Sequence, residues 1–201
     1  EDNPANNANN NGNSNIANRQ AQINSLPKEP LNQTELTSLS FMREEEKLAR
    51  DVYITLYNKW GVNIFTNISN SEQTHMDALL MLLNKYSQID PVGSNGVGVF
   101  ANTTLQTLYN QLVTQGNASV VDAYKVGATI EDLDIFDLKT ALISIDNQDI
   151  RLVYEMLTKG SRNHMRSFYK NILNVGGTYT PLYITQEEFD DIINSQMETG
   201  F

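Results

Sequence analysis

The chain contains no cysteine and only two histidines among its 201 residues. The first absence excludes disulfides, thiolate nucleophiles, zinc ribbons and iron–sulfur clusters. Glutamate, aspartate and histidine remain as metal ligands, and that set suits iron, manganese or zinc. Positive charge is also scarce. Fourteen Lys and Arg stand against 24 Asp and Glu, a formal net charge of −10. Nonspecific nucleic-acid binding needs clustered Lys and Arg, so the balance argues against it. No stretch of roughly 18 apolar residues occurs, so no transmembrane helix is expected. Strand-like alternation and internal repeats are missing too.

What is present begins with a low-complexity stretch, Asn6-Asn7-Ala8-Asn9-Asn10-Asn11-Gly12-Asn13-Ser14-Asn15. Such a segment has too little apolar area to offset its ordering entropy. Residues 1–33 are therefore expected to form a disordered Asn-rich tether, and residues 34–201 a helical domain. The chain does not begin with Met, and an exported protein whose leader has been removed, extracellular or at the cell surface, is the expectation. Sequons at Asn32, Asn67, Asn102 and Asn117 permit glycosylation without requiring it.

Helical periodicity organises the rest. A first helix is expected from about Glu35 to Asn58, its inward face reading Leu39, Met42, Glu46, Ala49, Tyr53, Leu56. A second runs from about Ile64 to Tyr86 after the break at Trp60-Gly61. Short helices, one capped by Asn102 and one by Ser119, fill a long crossover. A third long helix is expected from Thr129 to Ile145, with Glu131, Asp134, Leu138 and Ala141 inward. A fourth runs from Asp149 to Leu173, with Ile150, Val153, Leu157, Ser161, His164 and Phe168 inward. Gly160 weakens it by about 1 kcal/mol relative to Ala. Thr185 and Glu188 read as a capping box for a last short helix over about 186–197. The expected fold is all-α: a four-helix bundle over about 35–175 whose second and third helices are joined by the crossover.

Acids and histidines fall on those inward faces. In Ser71-Glu72-Gln73-Thr74-His75, Glu72 and His75 are three residues apart and leave one face of their helix. A carboxylate and an imidazole turned into a core are costly unless paired, and a divalent metal pairs both. Glu46, Glu131, Asp134 and His164 stand on the other inward faces. Each has a plainer explanation. Arg43-Glu44-Glu45-Glu46-Lys47 reads as a solvated charge run, with Glu44 turned away and Glu45 next to the inward stripe. Glu131 and Asp134 suit the first turn of a helix starting at Thr129. The conjunction favours metal, because both histidines face inward and every long helix brings an acid or a histidine.

These residues also carry a resemblance. Glu46, Tyr53 and the Glu72-x-x-His75 pair resemble the first half of a ferritin or rubrerythrin bundle. Met42-Arg-Glu-Glu-Glu-Lys-Leu-Ala-Arg-Asp-Val-Tyr53, Ser71-Glu-Gln-Thr-His75 and Gly160-Ser-Arg-Asn-His-Met-Arg-Ser-Phe168 together resemble the uncharacterised ferritin-like family called domain of unknown function 2202, over roughly residues 35–175. The resemblance implies a di-iron-type carboxylate and histidine site. Glu46 would be the helix 1 ligand, Glu72 the bridging ligand, His75 a terminal ligand, Glu131 the helix 3 ligand and His164 the helix 4 histidine. A ferritin-like fourth helix has Glu three residues before its His. Here Ser161 holds that position, so Asp134 is the candidate substitute and the site takes one ion or two.

Two functions stay open. One is iron oxidation or peroxide reduction by a ferroxidase- or peroxidase-type oxidoreductase, with Tyr53 as an electron relay or as a packed core tyrosine. Without cysteine the chain lacks an iron–sulfur module of its own, so turnover needs an external electron donor. The other is an exported structural or surface-interaction protein with a structural or vestigial metal. Iron is the expected metal, with manganese or zinc as alternatives, and oligomerisation is left open.

Overall fold

A computed structural model describes residues 17–199. Among the described residues the chain is all-helical, with seven helices and no strand. They are α1 (17–25), α2 (Gln33–Trp60), α3 (Asn63–Lys85), α4 (Thr103–Gly116), α5 (Val120–Leu142), α6 (Gln148–Asn174) and α7 (Gln186–Asn194).

Local signals account for most of the boundaries. Asn32 caps α2 by accepting from the Glu35 amide at 3.0 Å, and Glu35 returns the bond to the Asn32 amide at 3.0 Å. Gly61, with φ of 65°, ends the same helix. Asn102 caps α4, Ser119 caps α5 and Thr185 caps α7 through side-chain oxygens. The C-terminal helix stops at Asn194, three residues short of the expected end at 197.

Two expectations need correction. The third long helix starts at Val120, so the expected short helix after Ser119 is its first turn, and Thr129 lies mid-helix. Gly127 does not break it, because the glycine is there for packing. A Cβ on Gly127 would stand 2.4 Å from Cε1 of Phe168, so only glycine lets α5 approach that ring. The tether is the second correction. The Asn-rich stretch lies outside the described residues, but residues 17–25 are helical and Ile23 is fully buried. Lys85 holds this segment by donating to the carbonyls of Ile23 at 2.8 Å and Leu26 at 3.0 Å. A buried isoleucine and a charged donor on carbonyls at the end of α1 and just beyond it oppose the entropy cost of ordering the segment.

The four long helices pack as two antiparallel pairs. α2 lies on α3 and α5 on α6, and the pairs join through α3 with α6 and α2 with α5. α4 covers α2 and α5, and α7 rests on α6. Two apolar cores result. One contains Leu39 and Met42 of α2, Leu79 and Leu82 of α3, Leu138 of α5, and Val153 and Leu157 of α6. The other contains Ala49 and Tyr53 of α2, Phe65 and Ile68 of α3, Ala128 and Ile130 of α5, and Met165 and Phe168 of α6. The order of the cores along each helix shows that α2 and α6 run one way and α3 and α5 the other. The long crossover is what allows α5 to run parallel to α3. On every long helix the stretch between the two cores carries the polar inward residues: Glu46, Glu72 and His75, Glu131 and Asp134, Ser161 and His164.

Candidate metal centre

Glu46, Glu72, His75, Glu131, Asp134 and His164 are all buried, the two histidines least so at 5% and 8% exposure. Glu72 is the centre of the arrangement. Its Oε2 lies 2.7 Å from Nδ1 of His75 and its Oε1 lies 2.8 Å from Nδ1 of His164. His75 Nδ1 also lies 3.1 Å from Glu46 Oε2, and His164 Nδ1 lies 3.3 Å from Glu131 Oε2. Two triads follow, Glu46–Glu72–His75 and Glu72–Glu131–His164, each with ligand atoms within 4.8 Å of one another. Glu72 is common to both. The imidazole rings stack with centroids 5.6 Å apart. Asp134 stands outside both triads, about one turn from Glu131 on the same face of α5.

Many of these atoms have no hydrogen-bond partner. Both oxygens of Glu72 and of Asp134, Oε1 of Glu46, Oε2 of Glu131 and Nδ1 of His164 are buried without one. Leaving a buried polar atom unsatisfied costs about 1–3 kcal/mol, and more if it is charged. Short approaches between ligand atoms without hydrogen-bond geometry are what a cation between them would require. The donor set therefore fits a divalent metal, and these groups can hold one.

The electrostatics of the bare cluster follow from its crowding. Burial pushes the Glu46 carboxyl up to about 7, with His75 opposing and Glu72 reinforcing the shift. Burial also opposes charge on Glu72, but His164 and His75 outweigh it and hold that carboxyl below the usual range. Burial opposes charge on His75 as well; Glu46 and Glu72 overcome it and raise the imidazole to about 10. His164 is raised in the same way by Glu72 and Glu131. Asp134 is pushed well above its ordinary value by burial and then by Glu46, Glu45, Glu131 and Glu72. In the bare cluster the neighbouring carboxylates thus favour the protonated form of both imidazoles.

Supporting contacts orient the ligands. His164 Nε2 lies 2.9 Å from Ser71 Oγ, and an Nε2–H donated there leaves a lone pair on Nδ1 for a metal. Tyr53 donates its phenol to Glu131 Oε1 at 2.5 Å, and burial followed by the Glu131 charge raises the phenol well above its usual range. Gly160 lies under the His75 ring, where a Cβ would be 2.5 Å from Cε1 and Nε2. Ser161 donates to the Leu157 carbonyl at 3.1 Å and contributes no carboxylate.

The charge run 43–47 departs most from its sequence reading, because all five residues are buried. Arg43 binds Asp90 at 2.9 Å and the Met76 carbonyl at 3.0 Å. Glu44 does turn away from the cluster, but into the amides of Ala101 at 2.6 Å and Asn102 at 3.0 Å. Lys47 pairs with Asp51, donates to the Gly96 carbonyl at 2.8 Å and lies 4.4 Å from the centre of the Phe100 ring. The crossover folds over this face of α2. Ser71 and Gly160 support the site although the sequence reading gives them no part in it. Ser71 stands one residue before Glu72 in the quoted motif, and a mid-helix glycine one turn before His164 was the available sign of a close approach.

An all-helical chain with two buried carboxylate–histidine triads defines the class: a helical protein with a candidate metal site built from its four long helices. Residues 35–196 match the family described as uncharacterized protein domain DUF2202, and the chain belongs to that family. It is similar to the uncharacterized protein MJ0754 of Methanocaldococcus jannaschii, with 57% identity over 178 residues, 89% of this chain and 96% of the relative. The crystal structure of hypothetical protein MJ0754 from Methanococcus jannaschii matches with a TM-score of 0.85 at 57% identity, covering 86% of this chain and 99% of that one.

Proposed function

We propose that the chain is a ferritin-like metal-binding protein whose triads take iron, one ion or two, with Glu72 shared between the positions. The observation that carries this reading is the position of Glu72, one oxygen on each histidine Nδ1. The up-down-down-up course of the long helices supports the ferritin-like reading, since a long connection between the second and third helices is a feature of such bundles. Iron held there supplies one-electron chemistry toward dioxygen or peroxide, so iron oxidation or peroxide reduction is the proposed activity. Glu46, Glu131 and the two Nδ1 atoms would hold the metal, Tyr53 would fix Glu131, Ser71 would fix His164, and the two apolar cores would exclude water. Electrons for repeated turnover would come from an external donor. Adding ferrous iron to metal-free protein in air should oxidise it faster than buffer alone; a rate equal to buffer contradicts the activity.

One observation favours a second reading. Where a fourth-helix carboxylate would complete the ligand set, Ser161 is buried and bonded to its own helix. A structural metal that stabilises the fold needs no such ligand. Metal binding with no iron oxidation is the outcome that selects it.

A further inference from the structure

Glu45 differs from its neighbours in the 43–47 run. It is 1% exposed, yet neither carboxylate oxygen has a hydrogen-bond donor. It forms the floor of a surface cleft of about 560 Å³ between α2, α4 and α5, whose lining includes Asp137, Thr104, Thr107, Leu108 and Tyr183. Asp137 is half-buried and faces Glu45, and two acids can bond each other only while one keeps its proton. On the inner side Glu45 acts electrostatically on Asp134, whose own two oxygens are unpartnered. Asp134 and Asp137 are three residues apart on α5, and Glu45 adjoins Glu46 on α2. A line of acids thus leads from the cleft, through Asp137, Glu45 and Asp134, to the buried triads.

Nothing in the two triads requires Glu45. A buried carboxyl whose facing group is a second acid, at the bottom of a partly apolar cleft, is costly as a structural choice. It is well suited to a cation, because low-dielectric walls focus the field of an acidic floor and concentrate counter-ions there. The oxygen donors in its lining, two carboxylates with threonine hydroxyls and a phenol, suit a hard divalent ion. We propose that this cleft is the entrance by which a divalent cation reaches the buried centre, and that Glu45 and Asp137 form its first docking site. The proposal rests on the reading of the triads as a metal site.

The test uses Co²⁺ as probe, with its visible absorption followed by stopped flow on mixing with metal-free protein, and bound cobalt measured after dialysis. Glu45→Gln and Asp137→Asn should each slow loading about tenfold, and Thr107→Lys, on the exposed rim, should slow it in the same sense by repelling the ion. Final cobalt content should equal wild type in all three. Loading of all three at the wild-type rate overturns the entrance and leaves the metal site standing. A fall in final content for Glu45→Gln makes Glu45 a ligand of the buried centre and also overturns the entrance. A wild-type protein that takes up no cobalt contradicts the metal site itself, and the entrance with it.

Discussion

Gly160 and His75 are in a contact that admits no side chain on the glycine: a Cβ there would stand 2.5 Å from both Cε1 and Nε2 of the imidazole. The glycine weakens α6 by about 1 kcal/mol relative to Ala, and the space it leaves lets the ring turn Nδ1 toward Glu46 and Glu72. Gly160→Ala should therefore lower metal affinity by roughly 10–100-fold, the usual effect of disturbing a ligand's support. Competition titration against a chelator checks this, and unchanged affinity would mean that His75 is not a ligand.

Tyr53 and Glu131 allow electron relay to be separated from ligand support. If the phenol only orients Glu131, Tyr53→Phe should weaken metal binding and leave the iron oxidation rate per bound ion unchanged. If it relays electrons, the rate per bound ion should fall. Metal titration and stopped-flow oxidation on one preparation give both numbers. In either case the lost hydrogen bond to a charged group should cost about 1.5–3 kcal/mol of stability in the metal-free protein.

Metal-free and metal-loaded protein should respond to pH with opposite signs. The His75 imidazole moves from 6.5 to about 10 on folding. A raised folded value gives stability that is complete below 6.5 and lost as pH rises through about 10. Glu46, raised from 4.5 to about 7, adds a loss in the same direction over that lower window. Metal-free protein should thus lose stability to urea from about pH 4.5, through Glu46, and go on losing it up to about pH 10, through His75. Metal must displace the His75 proton, so its binding should release protons at pH 7 and tighten as pH rises. Calorimetry in buffers of different ionisation enthalpy counts the protons, and a count of zero would contradict the ligand assignment.

Ser161→Glu tests the missing carboxylate. Position 161 lies one turn before His164 on the same face of α6. The change should raise the number of ions held per chain, and Glu is a better helix former than Ser. Ser161 is 1% exposed, so overpacking of about 1–3 kcal/mol is the expected cost. Equal stoichiometry in a folded variant would show that this ligand was never limiting.

Much of this arrangement was legible in the sequence. The 3.6-residue period placed Glu46, Glu72, His75, Glu131, Asp134 and His164 inward, and they are buried. Periodicity failed where a tertiary partner changed the meaning of a residue. Thr129 read as the start of the third long helix, whereas the helix begins at Val120 and carries Gly127 in its interior, where the glycine's partner, Phe168, lies 41 positions further on. Arg43, Glu44 and Lys47 read as solvated because the covering crossover, with Asp90, Gly96 and Asn102, has no period of its own. Residues 17–25 read as part of the tether because a short amphipathic turn beside an Asn-rich stretch carries little signal. Its anchor, Lys85, lies on another helix.

The most direct test is the metal content of chain purified without nickel affinity, stripped, reloaded with ferrous iron under anaerobic conditions and dialysed. Wild type should retain one or two irons per chain, and the double variant Glu72→Ala, His75→Ala should retain none, because each triad loses Glu72 and one also loses His75. Circular dichroism should show the variant still helical. A folded double variant holding as much iron as wild type would contradict the account.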